Sequence, residues 1–380
     1  MKPTLYILIF IYLTSCGNRD IERIVEENLP VIDLNNQDIE SVDLNSIAKS
    51  IEYIPLKTSA RDVIGWIYDI NKTDQRIFVR DRQNNVYVFS ESGELINKIK
   101  KVGKGTQKYS YISNFTVDEE SQRMFIHDDG QNKVIIYDFE GNFIASRTLE
   151  TKALNFTYLD PSTIIGYVPQ KYQEGKAENS ALAIVPVPEG DVTYLESEFE
   201  AKLPPKSPYV VNGILTRSYF QNVLFKDHFN DTVYLVQNDS TLLPRLVFDA
   251  GNRQLQPEDY ANYATFREVE NTKIQIWGLH FTRDYDCISF QEDGEKRVMI
   301  YHRESGRKML SNGKGGIKNE KEGEEIYFFP RAISEDNELV GFYYQHELKN
   351  ADLNPDGELH KIAAQMQYNA SPVVAVVKLK

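Results

Sequence analysis

From about residue 50 onward the apolar positions fall into short runs broken by Gly, Asn, Asp and Ser. Arg76-Ile77-Phe78-Val79-Arg80-Asp81 leads through Gln83-Asn84-Asn85 into Val86-Tyr87-Val88-Phe89. Glu91-Ser92-Gly93-Glu94 then precedes Leu95-Ile96. Runs of this length, rich in β-branched and aromatic residues and bounded by turn formers, predict strands. The pattern returns: Arg123-Met124-Phe125-Ile126-His127-Asp128, a break at Gly130-Gln131-Asn132, then Val134-Ile135-Ile136-Tyr137 and Asp138-Phe139-Glu140-Gly141-Asn142-Phe143-Ile144. Phe89 and Tyr137, Gly93 and Gly141, and Ile96 and Ile144 are each 48 residues apart. A period near 48 with strand, turn, strand, Gly turn and strand inside each unit is the sequence mark of propeller blades. Each Gly stands where a turn between strands needs a positive φ.

Weaker echoes continue the series. Thr232-Val233-Tyr234-Leu235-Val236 and Arg297-Val298-Met299-Ile300-Tyr301, the latter with Glu304-Ser305-Gly306 behind it, repeat an inner strand. Asn155–Val168 and Ala181–Val187 add strands with irregular loops. Short helices are expected within Arg253–Glu270 and Asp356–Gln367. Ile51-Glu52-Tyr53-Ile54-Pro55-Leu56 near one end and Ser371-Pro372-Val373-Val374-Ala375-Val376-Val377-Lys378 at the other both read as strands. Pairing them would close the ring and leave only short protected edges. The fold class predicted is all-β, a β-propeller closed by its N- and C-terminal strands over residues 41–380.

The N-terminal segment breaks the pattern. Lys2 is followed by an apolar run from Leu5 to Leu13, too short to span a bilayer, and the run ends in Leu13-Thr14-Ser15-Cys16. That stretch resembles the lipobox of secreted lipoproteins. It predicts a signal peptide over 1–15, lipid attachment at Cys16, and a charged tether over 16–40. Localisation at the cell envelope, in the outer membrane, follows as the expectation.

Charge and cysteine content narrow the classes. The chain carries 43 Lys and Arg against 56 Asp and Glu, a net charge of −13; losing Lys2 with the leader makes it −14. So acidic a surface argues against nucleic acid and against anionic lipid surfaces, leaving the lipid as the membrane contact. After cleavage Cys287 is the one conventional thiol, so no internal disulfide is expected. Its setting, Asp286-Cys287-Ile288-Ser289-Phe290, predicts a buried strand residue. Tyr 23 and Phe 19 against two Trp and five Met is a strand-favouring balance.

These features resemble the six-bladed β-propeller lipoproteins of anaerobic Gram-negative bacteria, related in fold to NHL-repeat propellers. The matching pieces are Ile51–Leu56, the blade containing Tyr137-Asp138-Phe139-Glu140-Gly141, and the closing Ser371–Lys378. Gly103-Lys104-Gly105-Thr106-Gln107-Lys108-Tyr109 matches in part, with Thr106, Gln107 and Lys108 where the family tends to Pro, Gly and Glu. The resemblance covers roughly 41–380 and implies a fold; it carries no catalytic residues.

Contiguous catalytic motifs are missing. Gly103-Lys104-Gly105 and Gly313-Lys314-Gly315-Gly316 complete neither phosphate-loop pattern, His346-Glu347 lacks the second His of a zinc helix, and no Gly-x-Ser-x-Gly elbow occurs. Asp352-Leu353-Asn354-Pro355-Asp356-Gly357 offers oxygen ligands at the first, third and fifth positions of a calcium loop. The twelfth position is Ala363 where a Glu belongs, so Asp352, Asn354 and Asp356 read more readily as turn chemistry. No cofactor is expected. The leading expectation is a membrane-tethered, non-enzymatic propeller binding a small-molecule, glycan or protein ligand at one disc face. The loop Gly103–Tyr111 is the candidate site, with Lys104, Lys108, Tyr109 and Tyr111 facing the ligand. The rival is a glycan-acting lyase or hydrolase whose residues come one per blade to the channel mouth. An Arg- and His-lined channel would favour small-ligand binding or catalysis, and an exposed apolar patch a protein partner.

Overall fold

The computed structural model describes residues 29–35, 39–59, 61–169, 180–196, 202–218, 222–237, 241–313, 315–366 and 371–380. The leader, Cys16 and Lys314 therefore lie outside the described residues.

Six antiparallel sheets follow one another around a ring. Blade 1 is Ile67–Lys72, Arg76–Asp81, Val86–Ser90 and Leu95–Ile99. Blade 2 is Asn114–Asp118, Arg123–Asp128, Lys133–Asp138 and Phe143–Thr148. Blade 3 is Leu154–Asp160, Thr163–Tyr167, Ser180–Pro186 and Thr193–Glu196. Blade 4 is Ile214–Arg217, Val223–Lys226, Thr232–Val236 and Leu242–Asp249; blade 5 is Gln275–Phe281, Tyr285–Glu292, Glu295–His302 and Arg307–Leu310. Blade 6 takes Ala332–Ile333, Leu339–Tyr343 and Val373–Leu379 from the C-terminal end and Ala48–Pro55 from the N-terminal end, with Val373 opposite Pro55 and Val377 opposite Ile51. The expected closure is present.

Every blade buries both faces, which is why its strands read as near-continuous apolar runs. In blade 1, Phe78, Val86 and Val88 pack with Phe115, Ile126 and Ile135 of blade 2. Their neighbours Ile77, Val79, Tyr87 and Phe89 pack the other way, against Val340, Val374 and Val376 of blade 6. The same division by alternate residues gives a separate apolar layer at each of the other four blade junctions. Cys287 lies fully buried in the layer between blades 5 and 6.

The 48-residue repeat has a backbone cause. Gly93 and Gly141 sit at φ +82° and +85° in matching turns, closed by Gly93 N–H to Ser90 O and Gly141 N–H to Asp138 O at 3.0 Å each. A Cβ on Gly93 would also fall 2.4 Å from the Pro55 carbonyl oxygen. Asn84 and Asn132, again 48 apart, hold φ +59° and +47° in the turns between the second and third strands, a conformation Asn tolerates.

One boundary needs correcting. Part of the segment expected as tether, 16–40, belongs to the body. Val31–Asp33 pairs in parallel with the outer strand of blade 4, and Glu40–Ser41 pairs in parallel with the outer strand of blade 5. Ile32 is fully buried in the layer between those blades. The N-terminal stretch thus adds a fifth strand to two blades before closing the sixth. The expected helices are Tyr263–Val269, capped by Asn262, and Glu358–Gln365; Gln345–Asn350 and the single turn Leu44–Ile47 are further helices that the sequence did not signal.

Candidate functional site

The innermost strands surround a central cavity of about 1290 Å³. All of these strands begin at the face where blade-to-blade connections run, here the entry face, and end at the opposite, exit face. Three of them carry a β-bulge near the entry face, where the ladder skips Tyr68, Asn155 and Trp277. A bulge re-aims the unpaired side chain. Tyr68 and Trp277 both border the cavity and remain 45% and 42% exposed. Trp66, the only other tryptophan, lies on the same face and stacks on Tyr344 at 5.1 Å.

Inside an acidic chain the cavity wall is cationic. Lys72, Arg217, Arg245, Arg303 and Arg331 line it, against Asp69 and Glu335. Most of these cations are engaged. Arg303 bonds the fully buried Asp286 carboxylate through Nε at 2.9 Å, and Arg245 approaches its other oxygen at 3.7 Å. Lys72 is 3.4 Å from Glu338. Arg217 donates to the Tyr158 carbonyl at 2.6 Å with its guanidinium 3.7 Å over the Tyr158 ring.

Arg331 is different. It enters blade 6 behind Phe329 and Pro330, and its guanidinium sits 4.8 Å from the Phe329 ring centre and 5.5 Å from that of Phe342. Among the described residues no carboxylate forms an ion pair with it. Facing it on blade 5 is His280, whose pKa burial and the Arg331 charge push down to about 4; a hydrogen bond to the Pro330 carbonyl opposes them. The imidazole is therefore neutral at neutral pH. Beside it Ser289, 2% exposed, borders the same cavity with a hydroxyl that finds no hydrogen-bond partner among the described residues. Gly278 lies between them: a Cβ there would stand 3.0 Å from His280 Nε2 and 3.5 Å from Ser289 Oγ. Trp277 and Phe329 close the outer edge with ring centres 5.6 Å apart.

At the exit face the turns of blades 1, 2 and 6 bring Asp74, Glu119 and Glu335 together, their carboxylate oxygens within 4.8 Å of one another. Asp74 N–H donates to Glu119 at 2.7 Å. Burial first, and then the Glu119 charge, pushes Glu335 up to about 7. This arrangement holds a proton between carboxylates or, with all three ionised, has the donor set of a hard cation.

The sequence-chosen loop stands elsewhere. Gly103–Tyr111 joins blades 1 and 2 at the entry face but does not border the cavity. Tyr109 is a correction: it is fully buried, accepts from Lys101 N–H and donates to the Asn84 carbonyl, both at 3.0 Å. It pins the loop to the blade and presents no ring to a ligand. Lys104, Lys108 and Tyr111 are exposed. Asp352 and Asp356 are exposed as well, while Asn354 spends its amide on the Lys321 carbonyl and the Asp356 N–H. That loop turns the chain into the helix at Glu358, where Glu322 accepts from Leu359 N–H at 2.7 Å. Sequence reading missed Arg331, His280 and Ser289 because they come from different strands and form no contiguous motif. A Trp next to a Gly in an otherwise regular strand, Trp277-Gly278, was the available signal of a bulge.

Residues 29–378 match a family described as Domain of unknown function (DUF4934). Among solved structures the chain is similar to a Bacteroides fragilis protein named "putative exported protein". That likeness is at 19% identity and TM-score 0.71, over 90% of this chain and 98% of that one. It is also similar to a Bacteroides vulgatus member of the DUF4221 family at 10% identity and TM-score 0.57, over 88% and 97%. At those identities the likeness establishes the propeller fold alone. No curated protein matches the chain.

Proposed function

We propose, from the premise that this chain belongs to the DUF4934 family, that it is a non-enzymatic propeller binding a small anionic ligand in its central cavity. It is held at the outer membrane by a lipid on Cys16. The observation that carries the binding reading is the wall: a cavity of about 1290 Å³ rimmed by Tyr68 and Trp277 and lined by five cations and two carboxylates, in a chain of net charge −13. A concave site with an aromatic rim and a few convergent charges is the usual form of a small-molecule pocket. The anchor reading rests on the lipobox-like Leu13-Thr14-Ser15-Cys16, and no helix among the described residues is long and apolar enough to cross a membrane.

Thermal unfolding against a panel of anionic compounds and their neutral analogues tests the binding reading. A ligand at 100 times its Kd stabilises by about 2.7 kcal/mol, which raises Tm by several degrees. The anionic members should do so and be recovered unchanged. Turnover of any of them overturns the non-enzyme reading.

The exit-face carboxylates favour a second reading, a hydrolase or lyase. A glutamic acid poised at about 7 beside a second carboxylate is what general acid–base chemistry requires. Glu335→Gln would abolish turnover on that reading; on the first it removes a negative charge from the cavity wall and would not weaken anion binding.

A further inference from the structure

Resting on the cavity-binding reading, we infer that the Arg331 corner of the cavity is a subsite for a single carboxylate carried on a ring. Arg331 grips the carboxylate and Trp277 takes the ring face.

Arg331 is the one cation that this corner turns to the cavity; its neighbour Lys296 is outside the lining, with its ammonium 5.1 Å over the Trp277 ring. The guanidinium lies between the Phe329 and Phe342 rings, which hold its plane and leave its N–H edge without a carboxylate partner among the described residues. A planar fork of donors fits a carboxylate through two parallel hydrogen bonds. Glu347 and Lys296 act on it from outside the cavity lining, and the polar groups beside it on the wall are uncharged. His280 is neutral at neutral pH, and the Ser289 hydroxyl is buried, borders the cavity and has no partner among the described residues. A buried hydroxyl without a protein partner costs free energy, and a ligand oxygen can satisfy it. One full charge with neutral donors suits a monoanion better than a phosphate dianion. The width of the subsite comes from Gly278: any side chain there would stand against both His280 and Ser289.

The ring half of the inference comes from Trp277. Its bulge frees it from the strand ladder, and it remains 42% exposed at the cavity edge with Phe329 at 5.6 Å and the Lys296 ammonium 5.1 Å over the ring. Such a face stacks equally on the C–H face of a sugar or on an aromatic ring. An acidic sugar and an aromatic acid share this chemistry, and the experiment separates them.

Trp66 and Trp277 are the only tryptophans. In a full-length Trp66→Phe background, Trp277 fluorescence therefore reports on this corner alone. Titrations with sodium glucuronate and with sodium benzoate, alongside glucose and inorganic phosphate, read the ligand class. Saturable change with glucuronate assigns an acidic sugar; with benzoate, an aromatic acid. Glucose and phosphate should give none. Arg331→Ala should weaken binding about tenfold to a hundredfold, the size of a lost charged hydrogen bond. Ser289→Ala should weaken it about twofold to tenfold, and Arg331→Lys should fall between wild type and Arg331→Ala. Unchanged far-UV circular dichroism and Tm establish that each variant is folded. A carboxylate that binds with undiminished affinity to both Arg331→Ala and Ser289→Ala overturns this subsite while leaving cavity binding in place. Phosphate outcompeting both acids, or no Trp277 response to either acid, overturns it as well. Failure of the whole anionic panel to raise Tm defeats the broader reading.

Discussion

Tyr109 does not take the role its sequence context suggests. Tyr109 follows a Gly/Lys loop and invites a ligand, yet its hydroxyl ties two backbone segments and its ring fills the layer between blades 1 and 2. Tyr109→Ala should cost about 3–5 kcal/mol, the usual loss for truncating a buried aromatic. Lys104→Ala, at an exposed position, should stay within about 0.5 kcal/mol; chemical denaturation of both variants checks the pair. Glu335 offers a second test. Its carboxyl rises from the ordinary 4.5 to about 7 on folding, so between those values the folded state binds more protons than the unfolded one. Stability contributed by Glu335 is therefore present below pH 4.5 and lost as pH rises through 7. Glu335→Gln should flatten that part of the Tm-versus-pH curve and raise Tm at pH 8. A variant whose profile matches wild type between pH 4.5 and 8 would refute the shared-proton arrangement.

The elements differ in what they contribute to closure. Val373–Leu379 is flanked on one side by Leu339–Tyr343 and on the other by Ala48–Pro55. Deleting it unpairs both neighbours and exposes two edges in one sheet. The expected outcome is loss of cooperative unfolding and aggregation on expression. Val31–Asp33 and Glu40–Ser41 lie outside complete four-stranded blades. Their removal should lower Tm by burying less at Ile32, with one cooperative transition retained. Differential scanning calorimetry of both truncations distinguishes a strand that closes the ring from strands that only cover its rim. The bulges at Tyr68 and Trp277 belong to this scale as well, since one extra residue in each inner strand is what turns an aromatic ring toward the cavity edge.

For the molecule as a whole, the anchor and the cavity make separate predictions. Cys16→Ser should leave the protein in the soluble or uncleaved fraction, because the described residues hold no membrane-spanning helix. Metabolic labelling with a fatty acid and membrane fractionation check this; a variant still labelled and fully membrane-bound would sink the lipid reading. Ligand affinity should be unchanged by the same substitution, since the cavity lies within a ring that closes without the tether.

The sequence by itself determined the blades. Burial on both faces demands continuous apolar runs, and turns at positive φ demand Gly or Asn at Gly93, Gly141, Asn84 and Asn132. Both requirements are local and repeat at one period, so they are written along the chain. Strand character at Ile51–Leu56 and Val373–Lys378 likewise told that the two ends meet. The residues of the proposed site and the rim strands come together only through long-range packing. His280 and Arg331 are 51 residues apart in the chain and belong to different blades, and Ser289 reaches them from a second strand of blade 5. Their juxtaposition depends on how each blade packs against the next. The parallel pairing of Val31–Asp33 with blade 4 was illegible for the same reason: three residues carry no period, and only the partner strand 216 positions away, Val247 opposite Val31, makes them a strand.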